Sequence, residues 1–347
     1  MEQKVAQSSS IFNFKLFRSP LIIISVYLIL EVGFRIYSFG WHTAFSWATY
    51  NPQGILFSDI VMEDDNPDIS WKLKPNVQAI YKAQPFSTNS LGLRNPEISL
   101  EKPADMIRVA VLGRSITMGE GVADHEVFSQ ILQNRLDEWQ PHRYEIINCA
   151  VSGYSVQQVL AFYETYVSKL KPDMIIFTSS KKDLTRARMK AIPSLAEVQP
   201  SLTDLNYYLS YTYIYEAAKF IIKKITAPFI STEWDEQLAG VNSSTADTLT
   251  NDILLSAFVE NRHRENIESY IFMPKRGEIK SDDVFHGLRK WAEQHPGITY
   301  LDVNAYLQNR MPKSAHIYFG DTHPDPQVHT LYGEALFEQF KSGAIRQ

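Results

Sequence analysis

The sequence GRSITMGEGV, residues 113–122, places a serine in a glycine-rich turn directly after the apolar run Ile107–Leu112. That run predicts a buried strand, and an open α/β sheet presents its reactive groups beyond the carboxyl ends of its strands. Ser115 is therefore a candidate nucleophile, which would need a histidine base, a group that orients the base and N–H donors for an oxyanion. A structural turn serine is the alternative for Ser115 considered alone. The α/β-hydrolase elbow G-x-S-x-G is not met, because Thr117 occupies its second glycine.

Four segments, in order over roughly residues 107 to 340, resemble the sequence blocks of the SGNH (GDSL-type) hydrolases. They read GRSITMGEGV at 113–122, NCAVSGYS at 148–155, SKKD at 180–183 and FGDTHP at 319–324. A further segment, STNSLGLR at 87–94, resembles one found upstream of the serine block in membrane-anchored members of that family. The resemblance implies an α/β fold and an esterase or O-acyltransferase that acts on acylated envelope carbohydrate or lipid.

The resemblance also implies a role for each candidate site residue. Ser115 matches the nucleophile, and its backbone N–H would be one oxyanion donor. His323 matches the general base, and Asp321, two residues earlier, is the candidate group that orients it. Gly153 would offer a second N–H, where a side chain would obstruct the approach, and Lys182 stands where a further oxyanion donor is expected. Without the family, a strand-to-helix turn explains Gly153, and a helix N-cap explains Asp321.

Several positions depart from the family pattern. They are Arg114 for an aspartate, Ser180 for a glycine, Lys182 for an asparagine, Gly320 for the aspartate three residues before the histidine, and Val328 for a later glycine. Arg114 could favour an ionised serine, fill the pocket or pair with Asp183. Losing one preorganised oxyanion donor costs about 2.7–4 kcal/mol of transition-state stabilisation. Two functions therefore stay open: an active enzyme, or a catalytically silent scaffold or interaction subunit of a membrane protein complex.

Apolar runs alternate with helical patterns from residue 106 onward. The predicted strands are Ile107–Leu112, Tyr144–Cys149, Met174–Thr178, Tyr270–Met273 and Ile298–Val303, and the predicted helices are Val127–Trp139, Val156–Leu170, Asp283–Gln294 and Gln327–Phe340. This alternation predicts a three-layer α/β/α domain over 106–347 with a mostly parallel, flavodoxin-like sheet. Residues 42–105 are predicted to form an irregular, β-rich lead-in. A helical insertion at about 184–266, with helices at Leu205–Ile225 and Asn251–Glu268, suits a lid or a partner surface.

Residues 20–41 are apolar and long enough to cross a bilayer, which takes about 20 residues. Glu31 and Arg35 interrupt the segment, but their i,i+4 spacing lets them neutralise one another on a helix. Lys4, Lys15 and Arg18 precede the segment, whereas no Lys or Arg occurs from 36 to 71. The positive-inside rule therefore predicts a single-pass membrane protein with residues 1–19 in the cytoplasm and the main domain in the periplasm. A cleaved signal peptide is the alternative.

Composition argues against several other classes of function. The net charge of −5 over 347 residues gives no reason to expect nucleic acid, and the nine histidines lack paired metal-ligand spacing. The glycine-rich stretch matches neither a Walker loop nor a dinucleotide fingerprint, so neither a metal nor a cofactor is expected. The single cysteine, Cys149, excludes an intrachain disulfide and is predicted to be buried. The expected partners are the membrane, a carbohydrate or acyl-ester substrate, and proteins of a membrane complex.

Overall fold

The computed structural model describes residues 20–39, 41, 44, 59–82, 84–178, 209, 212–226, 245–272, 283–312, 316–318 and 321–345. The first helix, α1, spans Pro20–Phe39. Its stretch Pro20–Tyr37 has a mean hydropathy of 1.8 and is long enough to cross a membrane, a criterion that a signal sequence also meets. Glu31 and Arg35 form the predicted pair, with 2.7 Å between Arg35 Nε and Glu31 Oε1.

Two small antiparallel hairpins precede the central sheet. Strand β1 (Val61–Glu63) pairs with β2 (Trp71–Leu73), and β3 (Gln78–Tyr81) pairs with β4 (Gln84–Ser87). Trp71 and Phe86 are buried in the same apolar cluster as residues of the sheet. The hairpins therefore pack on one face of the α/β domain.

Five parallel strands form the central sheet in the order β6-β5-β7-β8-β9. They are β5 (Ile107–Leu112), β6 (Tyr144–Asn148), β7 (Met174–Thr178), β8 (Glu268–Phe272) and β9 (Ile298–Tyr300). Since β5 has β6 on one side and β7 on the other, the strand order reverses beside β5. In open α/β sheets, ligands bind outside the carboxyl ends of the strands at such a point.

Helices cover both faces of this sheet. The α-helices that follow α1 in the described residues are α2 (Ser115–Met118), α3 (Phe128–Trp139), α4 (Val156–Thr165), α5 (Tyr213–Thr226), α6 (Thr245–Arg264), α7 (Asp283–Glu293), α8 (Asn304–Leu307) and α9 (Pro326–Lys341). Apolar residues of α3, α8 and α9 form one cluster against the sheet, and those of α4, α6 and α7 belong to the other. The predicted three-layer α/β/α fold is confirmed.

Strand β5 shows why both layers are needed. Val109 and Val111 lie in the cluster beneath α3 and α9, whereas Ala110 and Leu112 lie in the opposite cluster. Successive side chains of a strand point to opposite faces, so a continuous apolar run requires cover on both sides. The strand has the bounds that its apolar run predicts.

The largest difference from the predicted elements lies before β8. The helix expected over Asn251–Glu268 spans Thr245–Arg264 instead, and Glu268 begins a strand. Asn266 adopts a positive φ of 60° between them, a left-handed conformation that commonly follows a helix end. The sequence pattern placed the boundary too late, because helical and strand-like apolar spacing overlap there.

Candidate active site

Ser115 lies where β5 ends, as the first residue of the one-turn helix α2. The helix ends at Gly119, which adopts φ +85° and donates its N–H to Ser115 O at 3.0 Å and to Ile116 O at 3.1 Å. Any Cβ at Gly119 would lie 2.7 Å from a methyl carbon of Val127, so glycine is required there for space as well as for its φ. The tight turn holds Ser115, which is partly exposed, at the carboxyl edge of the sheet.

Arg94, from the segment upstream of the serine block, fixes the loop that follows α2. Its guanidinium is buried and donates hydrogen bonds to the carbonyl oxygens of Met118 at 3.0 Å, of Gly119 and of Val122 at 2.7 Å. Its Nε pairs with Asp124 Oδ1 at 2.9 Å. Burial lowers the pKa of Arg94 from its usual value, against the opposing charge of Asp124. The planar, multiply donating guanidinium suits such a cluster of acceptors.

The second block packs against the first through Asn148 at the end of β6. Its Nδ2 donates to Thr117 O at 2.7 Å, and its Oδ1 accepts from Ala150 N at 3.1 Å. Gly153 follows with φ +83°, and a Cβ there would lie 3.2 Å from the Trp71 ring. Ser115 and Gly153 therefore follow the carboxyl ends of two adjacent parallel strands, as a shared oxyanion site would require.

His323 lies in strand β11 (Asp321–Pro324), which pairs antiparallel with β10 (His316–Tyr318). Strand β11 packs against α2, the helix that begins at Ser115. His323 Nε2 lies 3.5 Å from Glu120 Oε2. The fold therefore brings the fourth block to the first and gives the histidine a carboxylate partner.

Glu120 is at the centre of a buried polar cluster. It is 4% exposed, its Oε2 lies 2.5 Å from Lys82 Nζ, and its Oε1 accepts a hydrogen bond from Ser152 Oγ. Burial alone would raise the pKa of Glu120, but the charges of Lys82 and His323 and the hydrogen bonds from Lys82 and Ser152 lower it below its usual value. Glu120 is therefore a carboxylate at neutral pH, as a group that orients a histidine must be.

The sequence did not identify Glu120 or Lys82 as site residues. A signal for Glu120 was present, since it is the one acidic residue of GRSITMGEGV and stands between two glycines. No signal marked Lys82, which lies between β3 and β4 with a positive φ of 49° and is 6% exposed. Only the docking of this hairpin brings the lysine to Glu120.

Four further residues that the sequence singled out lie outside the described residues, whereas Asp321 and Val328 lie within them. Lys182, Ser180, Asp183 and Gly320 lie outside the described residues. The backbone of Asp321 pairs with Tyr318 in the β10–β11 hairpin. The N-cap of α9 is Asp325, whose side chain accepts from Val328 N at 3.0 Å, so Asp321 does not serve as that cap. Val328 is fully buried in the core beneath α9.

A second histidine, His329, lies buried beside the site and has a structural role. Its Nδ1 accepts a hydrogen bond from Phe128 N at 3.2 Å, and its ring stacks on the Phe128 ring. Burial, with the nearby charges of Arg94 and His323, lowers the pKa of His329 to about 3 from 6.5. The ring is therefore neutral in the folded protein at any pH above that value.

His329 predicts a pH-dependent stability. Between pH 6.5 and about 3, the His329 imidazole is protonated in the unfolded chain but neutral in the folded one. The free energy of unfolding must therefore fall as the pH falls. From pH 7 to pH 5 this contribution should be about 2 kcal/mol. Urea unfolding at both values, compared with His329→Gln, which keeps an acceptor but does not titrate, measures it. An equal pH dependence in the variant would contradict the assignment.

Comparison with known proteins gives matches among solved structures. No family model and no curated protein matches the chain. A protein described as lipolytic and of the G-D-S-L family, from Desulfitobacterium hafniense DCB-2, is 14% identical over 67% of this chain and 98% of its own, with a TM-score of 0.37. TesA is 14% identical over 68% and 98%, with a TM-score of 0.39. A catalytic mutant of the acetylxylan esterase Axe2 from Geobacillus stearothermophilus is 13% identical over 69% and 96%, with a TM-score of 0.42.

These structures are of the hydrolase class that the four sequence blocks resemble. At such identities and scores, the likeness says nothing about what this chain acts on. The α/β fold itself is established by the order and direction of its own strands.

Proposed function

We propose that the protein is a serine-dependent esterase or O-acyltransferase. The observation that carries the proposal is the convergence of the first and fourth blocks. The helix that begins at Ser115 packs against the strand that carries His323, and His323 Nε2 faces the buried Glu120 carboxylate at 3.5 Å. A hydroxyl, an imidazole and an ionised carboxylate are the components of a serine acyl-transfer site.

In the proposed reaction, Ser115 Oγ attacks the carbonyl carbon of an acyl ester while His323 takes the hydroxyl proton. Because Nε2 faces Glu120, Nδ1 is the ring nitrogen that would accept this proton. Glu120 stabilises the imidazolium that forms and stays ionised itself. The N–H groups of Ser115 and Gly153, with Lys182 as a further donor, would bind the oxyanion.

Collapse of the tetrahedral intermediate breaks the ester C–O bond, and the imidazolium returns the proton to the departing alcohol. An acyl group then remains on Ser115. Water attacks the acyl-enzyme in an esterase, whereas a sugar or lipid hydroxyl attacks it in an acyltransferase. In both cases His323 takes the proton of the incoming group, and Ser115 is regenerated.

The proposal includes a place in the cell. Helix α1 would anchor the protein in the membrane, with the α/β domain on the periplasmic side. What supports this is the length and apolarity of α1 and the charge asymmetry around it. An enzyme held at that surface would meet acylated carbohydrate or lipid of the envelope, which is the substrate class we propose.

The test is covalent labelling by a fluorophosphonate probe, which reacts with activated serines. The full-length protein in detergent should form an adduct that peptide mass mapping places on Ser115. Ser115→Ala should abolish labelling and the turnover of p-nitrophenyl acetate, whereas Ser168→Ala, a change far from the site in sequence and fold, should leave both unchanged. Equal labelling or equal turnover in the wild type and Ser115→Ala would refute serine catalysis.

One observation favours the alternative of a silent scaffold. The ammonium group of Lys82 lies 2.5 Å from the same Glu120 oxygen that faces His323, and it offsets the negative charge that would stabilise an imidazolium. In a silent protein this ion pair would serve only to join the β3–β4 hairpin to the domain. Absence of phosphonate labelling in a folded wild-type protein would decide for the scaffold.

A further inference from the structure

Helix α1 is buried in an unexpected pattern. The apolar residues along it are largely exposed, with Leu21 at 74% and Ile29 at 70%. Its charged residues, Glu31 and Arg35, are 0% and 1% exposed, respectively. In a helix surrounded by lipid this inversion is expected, because charged side chains face protein and apolar ones face the hydrocarbon. The buried side of α1 therefore requires a protein partner.

That partner is helix α5, from the insertion. The two helices pack together, and three polar side chains lie at i,i+4 spacing along α1, of which the first two contact the α5 segment. Tyr27 Oη hydrogen-bonds with Thr212 Oγ1 just before α5, Glu31 Oε2 accepts from Ile214 N at 2.9 Å, and Arg35 Nε donates to Glu31 Oε1 at 2.7 Å. Residues four apart share one face of a helix, so this polar stripe is the docking face for α5.

The contact explains why an acidic residue stands in an apolar helix. Ile214 is the second residue of α5, and the first N–H groups of a helix have no partner within it. In hydrocarbon, where water cannot serve, an unsatisfied N–H costs several kcal/mol. Glu31 supplies the acceptor, and its negative charge suits the positive end of the helix dipole. Arg35 in turn balances that charge.

The depth of these contacts places α5 within the bilayer. Glu31 is about 16 Å along α1 from Pro20, at a rise of 1.5 Å per residue, and is thus near the middle of a hydrocarbon layer about 30 Å thick. The 14 residues of α5 extend about 21 Å, enough to reach an interface from there. Strands β7 and β8, which precede and follow this segment, pair in one sheet. The segment must therefore enter and leave on the same side.

The surface of α5 fits that position. Ile221 and Ile225, four residues apart, are 45% and 63% exposed, which is costly in water and favourable in lipid. The sequence of α5 also contains Lys219, Lys223 and Lys224, and basic residues favour an anionic lipid surface.

We propose that α5 is a second membrane-embedded element, a re-entrant helix that docks on α1 through Glu31 and presents Ile221 and Ile225 to lipid. The protein would then hold the bilayer through a two-helix unit whose second helix lies in the chain between the sheet strands β7 and β8. The inference rests on the proposed anchoring by α1. Beyond that anchor, helix α5 of the insertion would contact lipid hydrocarbon.

The test measures lipid contact by fluorescence quenching. Full-length protein with the Cys149→Ala change receives a single new cysteine for an NBD label, by Ile225→Cys, Ile29→Cys or Leu100→Cys. Each labelled protein is placed in phosphatidylcholine–phosphatidylglycerol vesicles that contain nitroxide-labelled lipid as the quencher. Leu100, on the sheet domain, is 59% exposed and so is a matched control for Ile225 at 63%. The labels at Ile225 and Ile29 should be quenched several-fold more strongly than the label at Leu100.

The three labels separate this inference from the anchor itself. Quenching at Ile29 with none at Ile225 would overturn the re-entrant helix and leave the anchor standing, whereas no quenching at Ile29 would overturn the anchor and this inference with it. Glu31→Leu, which removes the acceptor, should reduce quenching at Ile225 but not at Ile29. Glu31→Gln, which keeps an acceptor oxygen, should preserve both. Unchanged Ile225 quenching in Glu31→Leu would refute docking through Glu31.

Discussion

Glu120→Gln is expected to lower kcat/KM for ester turnover by about 10²- to 10⁴-fold, the range found when the carboxylate behind a catalytic histidine is neutralised or displaced. Glutamine keeps the shape and can still accept from Ser152, but it offers His323 no negative charge. The imidazolium formed during attack by Ser115 would then lose its stabilising partner. The measurement is steady-state hydrolysis of a p-nitrophenyl ester by wild type and variant at equal folded fraction.

The matched comparison for this prediction is Asp321→Asn. The sequence nominated Asp321 as the orienting carboxylate, whereas the structure places Glu120 against His323. If Glu120 has the role, Asp321→Asn should cost clearly less activity than Glu120→Gln. A larger loss of activity for Asp321→Asn than for Glu120→Gln would assign the orienting role to Asp321 and leave Glu120 as the ion-pair partner of Lys82. Because the pKa of Glu120 is lowered, the acidic limb of the wild-type pH–rate profile should not come from this carboxylate.

Arg94→Leu is expected to lower the free energy of unfolding by about 3–5 kcal/mol, because it removes a buried guanidinium that donates to three carbonyl groups. The change leaves the carbonyl groups of Met118, Gly119 and Val122 without their buried donor, and each unsatisfied acceptor adds to the cost. It also releases the loop that follows Ser115, so activity should fall together with stability. Denaturant unfolding followed by fluorescence measures the first effect.

Two further variants make the Arg94 prediction specific. Arg94→Lys keeps the charge but cannot reproduce the planar fork of donors, so it should lie between wild type and Arg94→Leu. Arg135→Leu is the control, because Arg135 pairs with Glu138 and Glu334 at a side chain that is 41% exposed. Such partly exposed pairs contribute about 0–1 kcal/mol. A loss of stability for Arg94→Leu no larger than that for Arg135→Leu would contradict the role of Arg94 in fixing the loop after α2.

The sequence predicted the fold and the strands that end beside the candidate site. Apolar runs of five or six residues between turn residues predicted β5 and β7 with the bounds that the structure gives them. Ser115 lies three residues after β5 and Gly153 five residues after β6, and parallel strands end at the same edge, so their common edge follows from the sequence. The i,i+4 pair in α1 was likewise predictable, because helix geometry alone brings Glu31 to Arg35.

The contact between His323 and Glu120 was not predictable in the same way. The sequence analysis searched close to the histidine and chose Asp321 as the orienting group, which stays a prediction, whereas Glu120 approaches His323 from the serine block. Lys82 comes from yet another element, the β3–β4 hairpin. The residue spacings of helices and strands predict only neighbours within one element. They therefore do not predict contacts among three separate elements.

The sequence by itself determined the elements, the three-layer fold and the edge of the sheet at which Ser115 stands, because periods of two and 3.6 residues are local and dictate which faces are buried. Only the tertiary structure decided which partners the buried charged groups have. It selected Glu120 as the partner of His323, placed Lys82 and Arg94 around the serine loop and set Glu31 beneath the first turn of α5. These pairings form because a charge or an N–H removed from water must find a partner wherever the packed chain provides one.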